Sequence, residues 1–142
     1  MAFAEYRPDY VDVLDAKGRV VGSVRPLNDV DFALLWQKHE TAMEAVLGAL
    51  FRRNDPGAGL DMVSAISGAM VEVPDLLTDA ICIASDEADN GDWSKVFKAV
   101  SVMPIGLRIS AMNAVIHATA EAEGGLDKVA YLMASTRPTA DE

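Results

Sequence analysis

Apolar residues recur at steps of three and four along most of this 142-residue chain, and this spacing constrains the fold more than any other feature. Such steps place side chains on one face of an α-helix. The clearest run follows Asn28 and consists of Phe32, Leu35, Trp36, Met43, Val46, Leu47 and Leu50. A second run, Ile105, Ile109, Met112 and Ile116, has steps of four, three and four, which is the narrow stripe of a helix–helix seam. The chain is therefore expected to be mainly α.

Capping residues and breakers set the expected helix boundaries. Asn28 is a good N-cap, with acids at 29 and 31 in the first turn. The run that follows, to about Arg53, is long for a globular helix, so one alternative is a break near His39–Glu40. Four further helices are expected from residue 60 to about 71, from Pro74, from Trp93 and after Pro104, and a last one follows Gly124–Gly125. The sequence thus predicts five or six helices.

Two β-rich runs precede the helices. Tyr10–Asp15 and Val20–Pro26 flank a short turn that contains Gly18, a pattern typical of a β-hairpin. A lone two-stranded hairpin is marginal in water, so it must pack on helices or be completed by another chain. The length favours a single domain over 1–142, with the hairpin at about 10–25, a helical body at about 28–135 and a short polar tail at 136–142.

Charge narrows the classes of partner. The chain has 22 Asp and Glu against 12 Lys and Arg, a net charge of −10. This field repels phosphate backbones and anionic lipid heads, which disfavours nucleic acid and membrane surfaces as partners. No signal peptide and no apolar run of about 20 residues is present, so a soluble cytosolic protein is expected.

Residues that commonly carry chemistry are few and scattered. His39 lies beside the first apolar stripe, Cys82 lies in an apolar run, and His117 has one carboxylate, Glu121, a helical turn away. Residues 86–92 are acidic, but alanine and phenylalanine occupy ligand positions of the calcium loop they would form. Residues 57–59 form a lone G-x-G without the rest of a phosphate-binding motif. We therefore expect no catalytic residue, no cofactor and no metal.

The abundance of apolar residues says more about function than the few reactive residues do. The chain has seven methionines, and exposed Met-rich surfaces adapt to varied helical partners. We expect an apolar helical partner to contact large apolar residues of the two stripes, together with the methionine just before the second stripe. These residues are Trp36, Met43, Met103, Ile105, Ile109 and Met112. The alternative is that these same stripes form the core.

Several segments occur in a familiar order. They are residues 24–29 (VRPLND), 73–85 (VPDLLTDAICIAS), 103–105 (MPI), 112–119 (MNAVIHAT) and 124–128 (GGLDK). In this order the chain resembles the tail assembly chaperones of long-tailed bacteriophages, which are encoded just before the tape measure protein. The resemblance covers residues 10–135 and is strongest over 72–130.

The resemblance implies a non-enzymatic assembly factor. It would bind the helical tape measure protein and keep it soluble in the host cytoplasm before the tail tube polymerises, and it would be absent from the mature virion. It also implies contact with the tail tube protein through a longer frameshifted form. Self-association is a further expectation. The alternatives are a structural phage protein, such as a head–tail connector or tail component retained in the virion, and a small enzyme or regulator that joins His39 or His117 to a carboxylate.

Overall fold

The computed structural model describes residues 2–52, 73–87 and 92–138. Within these residues the chain forms a two-stranded sheet followed by six α-helices, so the prediction of a mainly α fold with an N-terminal hairpin is confirmed. The strands are β1 (Val11–Leu14) and β2 (Val20–Val24). The helices are α1 (Asp29–Lys38), α2 (Glu40–Arg52), α3 (Pro74–Ser85), α4 (Trp93–Ser101), α5 (Ile105–Glu123) and α6 (Leu126–Thr136).

The hairpin is antiparallel and places one face on the helices. Val11 pairs with Val24 and Val13 pairs with Gly22, and the register then shifts so that Leu14 pairs with Val20. Val13 and Val24 are buried, and the hairpin contacts α3 and α5. In the turn, the Asp15 carboxylate accepts the N–H groups of residues 17 and 19, and Gly18 has a φ of 78°. The sheet is therefore completed by helices and not by further strands.

The first helical run is divided into two helices, α1 and α2, which is the break near His39–Glu40 that the sequence analysis gave as an alternative. Asn28 and Asp31 form a capping box, in which each side chain accepts the backbone N–H of the other residue. α1 ends at Lys38, and His39 has the non-helical angles φ −139° and ψ 49° before α2 begins at Glu40. The confirmed break lets α1 and α2 pack against each other and against α6.

The later helices begin and end where the sequence places caps and breakers. Pro74 occupies the first turn of α3, and Asp86 ends that helix in the left-handed conformation with φ 61°. The Asp92 side chain caps α4, and Gly124 ends α5 with φ 93°. The helix predicted from residue 60 to about 71, the middle of the acidic connector and residues 139–142 lie outside the described residues.

The core lies between α1, α2, α3, α5 and α6. Every residue of α3 from Leu76 to Ala84 is buried, as expected for a helix with apolar residues on more than half its circumference. Trp36 packs at the centre, and its indole Nε1–H donates to the Met133 carbonyl oxygen at 2.9 Å. This bond satisfies the polar end of a large buried ring.

Over the described part of the chain, no single helix is long and apolar enough to cross a membrane. α4 and α5 meet the criteria of length and composition only as a pair, and that pair is bent by 118°.

A half-buried guanidinium group joins the hairpin to two helices. Arg25, which follows β2, donates from Nε to Asp86 at 2.9 Å and from Nη1 to Asp31 at 2.6 Å. Its backbone N–H donates to the Ala84 carbonyl at 2.9 Å, and the Tyr10 hydroxyl donates to the same Asp86 carboxylate. Burial disfavours the charged guanidinium, but the hydrogen bonds and charges of Asp31 and Asp86 outweigh it and raise the pKa of Arg25.

Replacing this guanidinium is expected to destabilise the fold. Arg25→Met leaves the carboxylates of Asp31 and Asp86 without their half-buried cation. Breaking a fully buried pair costs about 3–5 kcal/mol and breaking an exposed pair about 0–1 kcal/mol, so we expect a loss of about 2 kcal/mol here. Urea denaturation followed by circular dichroism measures the loss. The control is Arg19→Met, because Arg19 pairs with Asp15 and its side chain is 69% exposed. That change should cost less than about 1 kcal/mol. Equal losses for the two variants would contradict the role of Arg25.

Candidate partner-binding surface

Two of the three residues that the sequence analysis weighed for catalysis, His39 and Cys82, lie on the inner side of the fold, and the third, His117, does not. His39 Nε2 lies 2.5 Å from Asp79 Oδ2, and this pair joins the α1–α2 break to α3. Asp79 is buried, and Cys82, one turn further along α3, is fully buried. The sequence analysis missed the pair because 40 residues separate its members. One signal was available: Asp79 is the lone charged residue in the apolar run from Leu76 to Ala84.

This group lacks an activated nucleophile. Burial, followed by the negative charges of Asp79 and Glu87, raises the pKa of Cys82 to about 11. The thiolate is the reactive form of cysteine, so the Cys82 thiol is inert near neutral pH. His117 is exposed on α5, away from that buried group. Among the residues that the structure describes, no group of three or more His, Cys, Asp or Glu side chains could hold a metal ion.

The six residues expected to contact a partner fall into two sets. Trp36, Met43 and Met112 are 1%, 2% and 3% exposed. They are core residues in this structure, so the core alternative holds for them and they form no part of the surface. The reason is that the stripes of α1, α2 and α5 are covered by one another and by α3 and α6.

The other three residues lie at or near the surface. Ile105 is 47% exposed, while Met103 and Ile109 are half-buried. Val102, beside them, is 74% exposed. These residues surround Pro104, which separates α4 from α5, and the sharp turn between those helices carries apolar side chains outward. Partner contact by Met103, Ile105 and Ile109 stays a prediction.

The hairpin adds apolar side chains that the sequence analysis did not list. Leu14 and Val20 face each other across the two strands and are 48% and 58% exposed. A groove of about 460 Å³ lies beside them, between the hairpin turn and the start of α5. Leu14 and Ala16 line one side of this turn groove, and Pro104 and Leu107 line the other. The sequence signal for these exposed side chains is an aliphatic residue, Leu14 or Val20, on each side of the polar turn.

We call the set Leu14, Val20, Val102 and Ile105 the hairpin–corner surface. Exposed apolar side chains that lie together are typical of sites where a protein binds another protein, whereas singly exposed ones are ordinary. Leu14 and Val20 are paired across the hairpin, and Val102 and Ile105 lie on either side of the Met103–Pro104 turn. The described residues therefore define the class as a small, mainly α-helical protein with exposed apolar side chains on the hairpin and on the turn between α4 and α5.

Comparison with protein families gives a match over almost the whole chain. The family model described as pre-tape measure protein matches residues 1–140, so the chain belongs to that family. The family places the chain in phage tail assembly, and it is not an enzyme class. Comparisons with curated proteins and with solved structures gave no match.

The inertness of Cys82 can be measured by alkylation. With a pKa near 11, about one thiol in a thousand is ionised at pH 8 in the folded chain. Iodoacetamide should therefore modify folded Cys82 at pH 8 at least a hundredfold more slowly than the unfolded thiol, as followed by mass spectrometry, and the rate should rise about tenfold for each pH unit up to about 11. The same chain unfolded in urea is the control, because its thiol regains a pKa of about 8.5 and should react at pH 8. Equal rates in the folded and unfolded chains would indicate a reactive cysteine.

Proposed function

We propose that this protein is a tail assembly chaperone that binds the phage tape measure protein and keeps it soluble until the tail tube polymerises. The observation that carries the proposal is the hairpin–corner surface on a chain of the pre-tape measure family. Membership of the family indicates that the protein acts in phage tail assembly. The hairpin–corner surface supplies apolar side chains that could contact an apolar partner. The proposed place of action is the host cytoplasm, and we propose that the protein is absent from the mature virion.

The shape of this surface suits an amphipathic helix. A helix binds in a groove by inserting apolar side chains spaced three, four and seven residues apart. The turn groove, about 460 Å³ in volume, is flanked by Leu14 of the hairpin and Leu107 of α5. Ile105 and Val20, which follow and pair with lining residues Pro104 and Leu14 respectively, are also exposed. A long helical partner offers many such segments, so several copies of the chaperone would cover it.

The acidic composition supports the same role. A net charge of −10 on 142 residues repels other copies of the complex at long range and favours solubility. A partner whose apolar face is covered by such a protein exchanges an aggregation-prone surface for a strongly charged one. This physical effect is what keeping the partner soluble requires.

Coexpression with the downstream tape measure protein tests the proposal. The wild-type chain should keep that partner in the soluble fraction, and Ile105→Glu should reduce the soluble fraction severalfold because a carboxylate in the contact must be desolvated. Val30→Glu is the matched control, since Val30 is an exposed β-branched residue on a different helix, α1. Circular dichroism should show that both variants are folded.

Two results would contradict the proposal. One is a tape measure protein that stays insoluble with the wild-type chain. The other is an equal loss for Ile105→Glu and Val30→Glu, which would exclude the hairpin–corner surface. Mass spectrometry of purified virions separates a chaperone, which is absent, from a structural component, which is present in fixed stoichiometry.

A further inference from the structure

Charge is distributed unevenly along the chain, and one part of the fold differs in sign from the rest. The chain has a net charge of −10, yet residues 93–120 contain no Asp or Glu. This segment comprises α4, the turn after it and most of α5. Its Lys and Arg residues are Lys95, Lys98 and Arg108. The turn that carries the corner half of the hairpin–corner surface therefore lies in a basic part of an acidic molecule.

Each exposed apolar residue of this corner has a cation one helical turn away. Lys98 lies four residues before Val102, and the Val102 backbone N–H donates to the Lys98 carbonyl oxygen at 3.3 Å, so the two side chains share one side of the helix. Arg108 lies three residues after Ile105 on α5, which also makes them neighbours. Lys98 is exposed and Arg108 is half-buried. Apolar and basic side chains are therefore interleaved across the turn.

The hairpin contributes a third cation to the same surface. Lys17 is exposed in the turn between Leu14 and Val20, and it lines the turn groove. Lys17, Lys98 and Arg108 form no ion pair with any residue that the structure describes. The Nε–H of Arg108 is buried without a hydrogen-bond acceptor, which is uncommon in folded proteins. We call these three residues the surface cations, and their charge is not neutralised within the described part of the chain.

The acids nearest to the surface cations do not reverse the sign of the charge. The Asp15 carboxylate lies 2.8 Å from the guanidinium of Arg19, so the charges of this pair cancel. Asp12 on β1 is exposed and is one acid against three cations. The other charged residues near α4 line a different groove, between β2 and α4, and are Glu87, Asp92 and Lys95. The hairpin–corner surface is therefore basic on a chain of net charge −10.

We propose that the hairpin–corner surface selects acidic amphipathic helices, in which Asp or Glu residues flank the apolar stripe, and that these are the segments of the tape measure protein that it binds. The proposal rests on the proposed function and adds the chemistry of the bound segment. The apolar stripe contacts the four aliphatic residues of the surface, and the carboxylates pair with the surface cations. Opposite charges across an interface speed association, and like charges reject the wrong partner.

A phosphate backbone matches the same surface less well. It would have to approach a chain of net charge −10, and it offers nothing apolar to the exposed aliphatic side chains. Sites for single-stranded nucleic acid combine basic residues with aromatic rings on which the bases stack, whereas the hairpin–corner surface consists of leucine, valine and isoleucine. An acidic helix supplies both kinds of contact that this surface offers.

Carbodiimide cross-linking of the complex purified after coexpression tests the pairing. The reagent joins a lysine amine to a carboxylate where the two groups are in contact. Lys17 and Lys98 should be linked to Asp or Glu residues of the tape measure protein, as identified by mass spectrometry. The control is Lys128, an exposed lysine on α6, which should give no such links.

Charge reversal measures what the cations contribute. Lys98→Glu should reduce the soluble fraction of the coexpressed tape measure protein severalfold, because carboxylates then face carboxylates, and Lys17→Glu should do the same. Lys128→Glu is the matched control, since it changes the net charge by the same amount at an exposed position on another helix. It should act like the wild type, and circular dichroism should show that all three variants are folded.

Exchange of the two charges is the decisive measurement. The Asp or Glu of the tape measure protein that is cross-linked to Lys98 is replaced by lysine. This partner variant should be kept soluble better by the Lys98→Glu chain than by the wild-type chain, which reverses the order found with the unaltered partner. A merely structural role of Lys98 would leave the order unchanged.

Three results would overturn the proposal while the wild-type chain still keeps its partner soluble, and they would leave the proposed function intact. They are cross-links at Lys128 as frequent as those at Lys17 and Lys98, equal soluble fractions for Lys98→Glu and Lys128→Glu, and a charge exchange that does not restore solubility. Binding of a short fluorescent single-stranded DNA that is lost in Lys98→Glu would overturn it by assigning the cations to nucleic acid. A partner that is insoluble with the wild-type chain would contradict both proposals.

Discussion

Arg25 lies between Asp31 at the start of α1 and Asp86 at the end of α3, and its guanidinium binds both carboxylates. A two-stranded sheet has too little core of its own to be stable in water. The Arg25 contacts, with the burial of Val13 and Val24, hold the sheet on the helices. The turn groove has one wall on the hairpin. The candidate surface therefore depends on the ion pairs of Arg25, although Arg25 does not line this groove.

The molecule separates its core from its candidate binding surface. The large apolar side chains of α1, α2 and α5 face inward, where Trp36 and Met43 are covered by neighbouring helices. The outer face of the hairpin and the turn between α4 and α5 carry smaller apolar residues, which are 47% to 74% exposed. A contact on this side can be made and broken without opening the core, because no core residue has to move to expose it.

Local signals predicted most of the fold, and long-range contacts could not be predicted. Asn28 and Pro74 begin helices, and Gly124 ends one, because capping depends on a few neighbouring residues. Periodicity identified the apolar stripe that contains Trp36, but spacing does not say whether another helix covers a stripe. The contact of His39 with Asp79 joins residues 40 apart in the chain, and no local pattern specifies such a contact.

The turn groove is shallow, and this affects how the proposed chaperone would be released from its partner. A few half-exposed aliphatic residues give modest affinity, because association must first offset the lost freedom of both partners. Weak single contacts still hold a long partner when many copies act together, since each bound copy raises the effective concentration of the next. A polymerising tube that displaces copies in turn would then need to overcome only one weak contact at a time.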